Sequence, residues 1–238
     1  MHTNNLDLLI HSFAMMKATP SARTASLKPP RARYQQISQP NELDVESLNN
    51  RAIAFLQTHQ TKQAMQCFQR GLGVIQEMMR SKEVIATDSE CSIVSQLTPL
   101  VDGSELGVVS PNGVFVFCQR AMRFSKRASP NVSAAVLLYN LALLHHQQAI
   151  QLNSTVLYHK TLQLYQLCQG TLPSSEIMQF AIMNNMGHIY SHLYIDTAAQ
   201  ACQDWLIYNR ARLLPLMHSM EEEFVLLEPQ RSCAAAMA

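Results

Sequence analysis

The sequence predicts an all-α protein built from antiparallel helix pairs. Apolar residues recur three and four positions apart along paired stretches. Helix-breaking residues are scarce, with Gly 7 and Pro 10 in 238 residues, and most of the Pro lies between the periodic stretches. About twenty Gln replace much of the missing charge, and Gln is a good helix former for exposed faces. Hydrophobic residues make up 47% of the chain, enough for a core in one ordinary domain or one extended array. Only 15% are charged, and Lys+Arg 18 nearly cancels Asp+Glu 17. That balance excludes a nucleic-acid grip spread over the whole surface, which needs a strong positive excess.

Residues 1–40 stand apart. Lys17, Arg23, Lys28, Arg31 and Arg33 lie in a Ser/Thr/Pro-rich stretch in which Asp7 is the only acid. Such a segment buries too little apolar surface to offset its ordering entropy, so it reads as a disordered basic arm. With Leu6–Ile10 it also resembles an organellar transit peptide. Against that alternative, the default location is cytoplasmic. The cysteines, six in number, include no Cys-x-x-Cys pair, and Cys67, Cys168 and Cys202 sit in helical patterns as small buried hydrophobes, so a reducing compartment follows. No run of about 18 apolar residues exists, so no membrane partner is expected.

The helical array is expected over residues 41–214. Leu48, Ala52, Phe55 and Leu56 form one apolar stripe. Thr61 opens the next helix, with Ala64, Met65, Phe68, Leu72 and Ile75 on its stripe. A second pair follows Pro130, capped by Asn131 or Ser133. Its first helix carries Ala135, Leu138, Leu141, Ala142 and His145, and its second Leu157, Thr161, Leu164, Tyr165 and Cys168. A third pair starts after Pro173, where Ser174-Ser175-Glu176 suits a helix N-terminus. It carries Met183, Met186, Gly187 and Tyr190, turns near Ile195-Asp196, and returns with Ala198, Ala201, Cys202, Trp205 and Leu206. Between the first and second pairs, an insertion of about 81–130 reads as a long loop through residue 112. A strand-like run, Val114-Phe115-Val116-Phe117, follows it. A similar run, Phe224-Val225-Leu226-Leu227, falls in the C-terminal extension 215–238, and the two are expected to pair as a small sheet.

Superposed, the first helices share a motif: Leu48-Asn49-Asn50-Arg51-Ala52, Leu138-Tyr139-Asn140-Leu141-Ala142 and Met183-Asn184-Asn185-Met186-Gly187. Each has Asn two positions before a small residue. The motif resembles the first helix of a tetratricopeptide (TPR) repeat, where the small residue marks a close helix crossing and an aromatic position follows, here Phe55, His145 and Tyr190. Ala64, Phe68 and Gly71 match the family's second helix. Thr161, Tyr165 and Cys168 match it only with seven extra residues, about two helical turns, which preserve the helix face. The small residues are 90 and 45 positions apart, where the family repeats every 34 or so.

The resemblance implies a TPR-like superhelix with a concave groove lined by first helices. Two positions along a helix is about 200° of rotation, so Asn50, Asn140 and Asn185 point away from the small-residue seam toward that groove. A side-chain amide both donates to and accepts from an extended backbone, and similar proteins hold peptides on such a ladder. The alternative is that these amides only join neighbouring helices. The candidate peptide-binding residues are Asn49, Asn50, Tyr139, Asn140, His146, Asn184, Asn185 and His188. The family's carboxylate clamp needs Lys or Arg in the groove. The matching positions are Asn49, Ile53, Leu56, Tyr139, Leu143, His146, Asn184, His188 and Ser191, without a cation among them.

Other chemistry is not signalled. His188 and His192 have metal spacing, but Gly-His-Ile-Tyr-Ser-His lacks the acid of a zinc motif, and they read as groove-facing polar residues. No dinucleotide loop, phosphate loop, nucleophile elbow or catalytic Cys environment is found, so no cofactor, metal or catalytic residue is assigned. Arg120, Arg123, Lys126 and Arg127 form a modest basic cluster, and Glu221-Glu222-Glu223 a solvated acidic run. The sequence therefore points to a non-catalytic interaction module holding a peptide or helix of another protein by neutral polar and apolar contacts. A scaffold subunit of a larger assembly is the alternative, and an unrecognised enzyme ranks last.

Overall fold

The computed structural model describes residues 44–80, 96–99, 108–124, 128–171 and 176–218. They are mostly helical. Six helices fall into three hairpins: α1 (Val45–Gln57) with α2 (Thr61–Arg80), α3 (Pro130–Leu152) with α4 (Thr155–Thr171), and α5 (Glu176–His192) with α6 (Asp196–His218). The two helices of each hairpin pack on one another. The hairpins then join through α2 on α3 and α4 on α5, and α1 also reaches α3. No described helix is long and apolar enough to cross a membrane.

Local chemistry sets the helix ends. Asp44 caps α1, its carboxylate accepting the Ser47 N–H at 2.7 Å. At α3 the cap is Ser129 with Pro130 in the first turn. This moves the expected start back from Asn131 or Ser133, because Pro has no N–H to lose there and its φ is already helical. The three hairpin turns share one geometry. His59, Asn153 and Tyr194 each adopt positive φ (57°, 45° and 56°). In each turn that residue's N–H donates three positions back and the next residue's N–H five positions back. These are the paired bonds of a Schellman C-cap. The left-handed residue lies seven positions after Ala52 and Gly187, and eleven after Ala142. One extra helical turn in α3 thus accounts for four of the seven inserted residues of the second pair.

The stripe of α2 is realised by buried Ala64, Phe68, Gly71 and Ile75. In α6 the seam differs from expectation: Ala201 is exposed and Ala199 is buried with Cys202 and Leu206. Helix α3 is buried almost all round, from Val132 to His146. Helices cover one side, and residues 108–124 cover the other.

That segment is the main departure from the expected architecture. Residues 108–117 form a tight hairpin in which Ser110 N–H donates to Phe115 C=O and Phe117 N–H to Val108 C=O, each at 2.8 Å. Gly113 supplies the positive φ of 71° that the turn after Pro111-Asn112 requires. The chain then crosses the helices as an extended strap. Its last part, β2 (Arg120–Arg123), pairs antiparallel with β1 (Gln96–Pro99), with Gln96 opposite Arg123 and Pro99 opposite Arg120. A strand therefore occupies part of the stretch read as loop. Val116 makes one isolated bridge, to Val109. The proposed partner run 224–227 lies outside the described residues, as do Lys126, Arg127, residues 1–40 and the acidic run 221–223.

Phe115, Phe117, Cys118, Ala121, Met122 and Phe124 of the strap belong to the same core as the helices. Each large apolar side chain so buried contributes about 1.5–3 kcal/mol relative to exposure.

Candidate functional site

Side chains from α1, α3 and α5 read the strap backbone at every second residue. Asn184 Nδ2 donates to Val116 C=O at 2.5 Å. Asn185 takes both groups of Cys118, accepting from its N–H at 2.8 Å and donating to its C=O at 3.3 Å. Tyr139 OH donates to Arg120 C=O at 3.0 Å. Asn140 accepts from Met122 N–H and donates to Met122 C=O, both at 2.8 Å, and Asn49 donates to the same carbonyl at 2.9 Å. Asn50 closes the series, donating to Phe124 C=O at 3.1 Å and accepting from its N–H at 3.2 Å. Residues 116, 118, 120, 122 and 124 share one edge of an extended chain, because the backbone groups alternate sides. The helices hold that edge, and β1 pairs with the strap on the other.

The two-residue rule follows from the strand and the equivalent Asn positions from the helices. Asn50, Asn140 and Asn185 each stand two before a small residue, as the motif requires, and each makes the same two-point contact. Asn140 also donates to Asn49 Oδ1 at 2.8 Å. Burial makes these bonds consequential: Asn49, Asn140 and Asn185 are fully enclosed, and an unpaired amide there would keep its whole desolvation cost.

His146 and His188 complete the set of eight candidate residues, and they meet the strap through an aromatic side chain. The Phe117 ring lies 4.1 Å from the His146 ring and 5.9 Å from that of His188, centroid to centroid. The structure therefore brings all eight candidates together along one strap of the same chain. Every residue at the clamp positions, from Asn49 to Ser191, is buried. Ser191 joins the site as well, its hydroxyl accepting the Asn112 N–H at 3.3 Å.

The seat for Phe115 is Gly187. A Cβ added there would overlap the Phe115 ring, so the residue read as a helix-crossing position serves the strap. Gly71 has a separate reason to be small, since its Cβ would come 2.9 Å from Leu137 Cδ1 where α2 rests on α3.

Beneath Phe117 a polar chain runs into the core. Asn185 Nδ2 donates to Tyr165 OH at 3.0 Å. Tyr165 OH approaches His146 Nδ1 at 3.5 Å, and His146 Nε2 lies 3.1 Å from His188 Nδ1. The Cys118 N–H fixes the orientation of Asn185, which sets the rest: the phenol points its proton at His146 Nδ1, His146 carries its own on Nε2, and His188 on Nε2. His188 Nε2 has no well-formed hydrogen bond, although the nearby Val108 backbone slightly favours a proton on this ring. Tyr158 and His192 stack beside it, 5.2 Å between centroids. His188 is thus buried, with half-buried His192 beside it, which corrects the expectation that both face an open groove.

Burial controls the ionisation of this cluster. It holds His146 well below the usual imidazole range, with His188 and His192 adding to the effect. His188 is brought down to about 3, first by burial and then by His192. Tyr139 and Tyr165 are raised well above the ordinary phenol value, mainly by burial. The site is neutral and hydrogen-bonding. Among the described residues, no three or more His, Cys, Asp or Glu are grouped to hold a metal ion.

No family model matches this chain. In the same comparisons no curated protein and no solved structure matches it.

Of these contacts, the ladder was visible as the Asn motif. The cis occupant was not, although the Val-Phe-Val-Phe run inside the long insertion was its available signal. Tyr165 lies on the expected second-helix stripe, yet its hydroxyl links the ladder to the histidines.

Proposed function

We propose that this chain is a non-catalytic protein–protein interaction module, a TPR-like stack whose groove binds an extended segment of peptide. One observation carries the reading. Asn50, Asn140 and Asn185 each hold both the N–H and the C=O of a single residue in an extended strand, a contact that recognises backbone whatever the side chain. The repeated Schellman turns and their fixed distance from Ala52 and Gly187 support the TPR-like assignment. The neutral lining supports a partner bound by amide hydrogen bonds and apolar contact, not by a charged terminus. A cytoplasmic protein without cofactor, acting on another protein, is the corresponding biological reading.

The test is affinity purification with the intact chain and with Asn140→Ala and Asn185→Ala combined. A partner retained by the first and lost from a folded variant is expected. A partner retained equally by both removes the groove from the function.

A second reading has its own support. Phe115 and Phe117 are buried as deeply as helix residues, which suits a scaffold subunit whose groove stays filled and whose outer faces join an assembly. Co-purification in a fixed stoichiometry, indifferent to the ladder substitutions, would be its mark.

A further inference from the structure

The groove already contains a ligand, and the ligand's sequence describes what the groove selects. Asn184, Asn185, Asn140 and Asn50 hold the strap through its backbone groups, a mode of contact open to any extended chain. Selectivity has to come from the side-chain seats. Two lie next to each other: the space over Gly187 filled by Phe115, and the faces of His146 and His188 covered by Phe117. Phe115 and Phe117 are two apart, so an extended chain places both on the same side. Further along, Ala121, Met122 and Phe124 fill other buried apolar positions against α1 and α3.

The helices do not depend on the strap for their mutual contact. Each hairpin packs internally, and α2 on α3 and α4 on α5 join the hairpins directly. Departure of the strap would leave a connected stack with its amides exposed to water, which satisfies them.

From these observations the geometry points to a cis-occupied groove: the arm Val114–Phe124 acts as a built-in competitor, and the partner is an extended segment of another protein carrying an aromatic-X-aromatic pair. This inference rests on the groove reading above and adds its regulation and its ligand class. The aromatic pair enters the Gly187 and His146 seats, and the Asn ladder takes the partner's backbone in register. The strap's own linkage makes the closed form dominant, so the apparent affinity for a partner falls by the fraction of molecules that are open.

The test uses the full chain and a fluorescent peptide with the sequence of Val114–Phe124. Phe115→Ala in the protein empties the main seat of the competitor without substituting any helix or ladder residue. The variant is expected to bind the peptide saturably by fluorescence anisotropy, about tenfold tighter than the unsubstituted chain. A peptide with Ala at both Phe positions should not bind, and adding Gly187→Ala to the variant should abolish the preference for Phe. A folded variant that binds neither peptide, or both equally, overturns the inference. So does a concentration-dependent dimer that resists the peptide, which would show exchange of straps between two copies. Should Phe115→Ala not fold, hydrogen exchange of the unsubstituted chain decides: the N–H groups of Phe115, Phe117, Cys118, Met122 and Phe124 should exchange together and before those of α3. Exchange only with global unfolding overturns it. A partner that depends on the ladder while the peptide fails leaves the groove reading intact and removes the cis competitor. Peptide binding beside partners indifferent to the ladder does the reverse.

Discussion

Asn140 ties the strap to two helices at once. Its carboxamide satisfies Met122 N–H, Met122 C=O and Asn49 Oδ1 inside the core. Truncation to Ala leaves the Met122 N–H without a bonding partner at this face and loosens Asn49. Each buried polar group left unpaired costs about 1–3 kcal/mol, so Asn140→Ala is expected to lower stability by roughly 2–4 kcal/mol in urea unfolding. A loss within experimental error would mean that water replaces the amide. At Gly187 two local effects oppose each other. Ala favours an α-helix over Gly by about 1 kcal/mol, yet its Cβ would displace the Phe115 ring, and overpacking of a filled core costs typically 1–3 kcal/mol. Gly187→Ala is therefore expected to lower the thermal midpoint, and an unchanged or raised midpoint would show that Phe115 has room to shift. Both residues were conspicuous in the sequence through the Asn-to-small-residue spacing. What Asn140 and Gly187 touch was not, because their partners are 18 and 72 positions away in a segment without helical periodicity.

The elements differ in how far local rules decide them. Helices α1, α2 and α4 have stripes close to expectation, since capping and apolar spacing act within a few residues, whereas α5 is buried on most sides and Met183 and Tyr190 of its expected stripe are only half-buried. The N-terminus of α3 was displaced by Ser129-Pro130, and the seam of α6 moved from Ala201 to Ala199, where both small residues offer the same local pattern and packing against α5 selects one. The hairpin turns carry strain that the sequence does not advertise, for Tyr194 is a bulky residue at φ 56°. Its side chain is 81% exposed, and a left-handed conformation costs a non-Gly residue about 1–2 kcal/mol. Tyr194→Gly is accordingly expected to raise stability by up to about 1 kcal/mol, after the larger unfolded-state entropy of Gly is set against the relieved strain. Chemical denaturation measures it, and a destabilised variant would reveal an interaction of the exposed ring.

At the scale of the whole molecule, the buried histidines couple stability to pH. His145 is lowered to about 4, first by burial and then by Lys160, His188 to about 3, and His146 well below its usual range. The unfolded chain protonates these rings near pH 6.5, whereas the folded chain resists until much lower pH. Between those limits the unfolded state binds more protons, so stability is fully present above about pH 6.5 and is lost progressively as pH falls toward the folded values. The urea midpoint should decline between pH 7.5 and pH 5, and replacing His188 by Gln should flatten the decline. An equal decline in the variant would assign the pH dependence to other groups.

The sequence by itself determined the helical class, the three hairpins and the series of amides two positions before a small residue, because periodicity, capping and spacing are local properties of a chain. Only the tertiary structure decided that those amides hold the chain's own strap. An extended segment has no internal bonds to mark its place, and its edge is completed by groups far away in sequence: Asn184 and Asn185 on α5, Tyr139 and Asn140 on α3, Asn49 and Asn50 on α1. The helix faces that meet the strap are lined by neutral side chains, and they are covered by the part of the chain that least resembled a repeat.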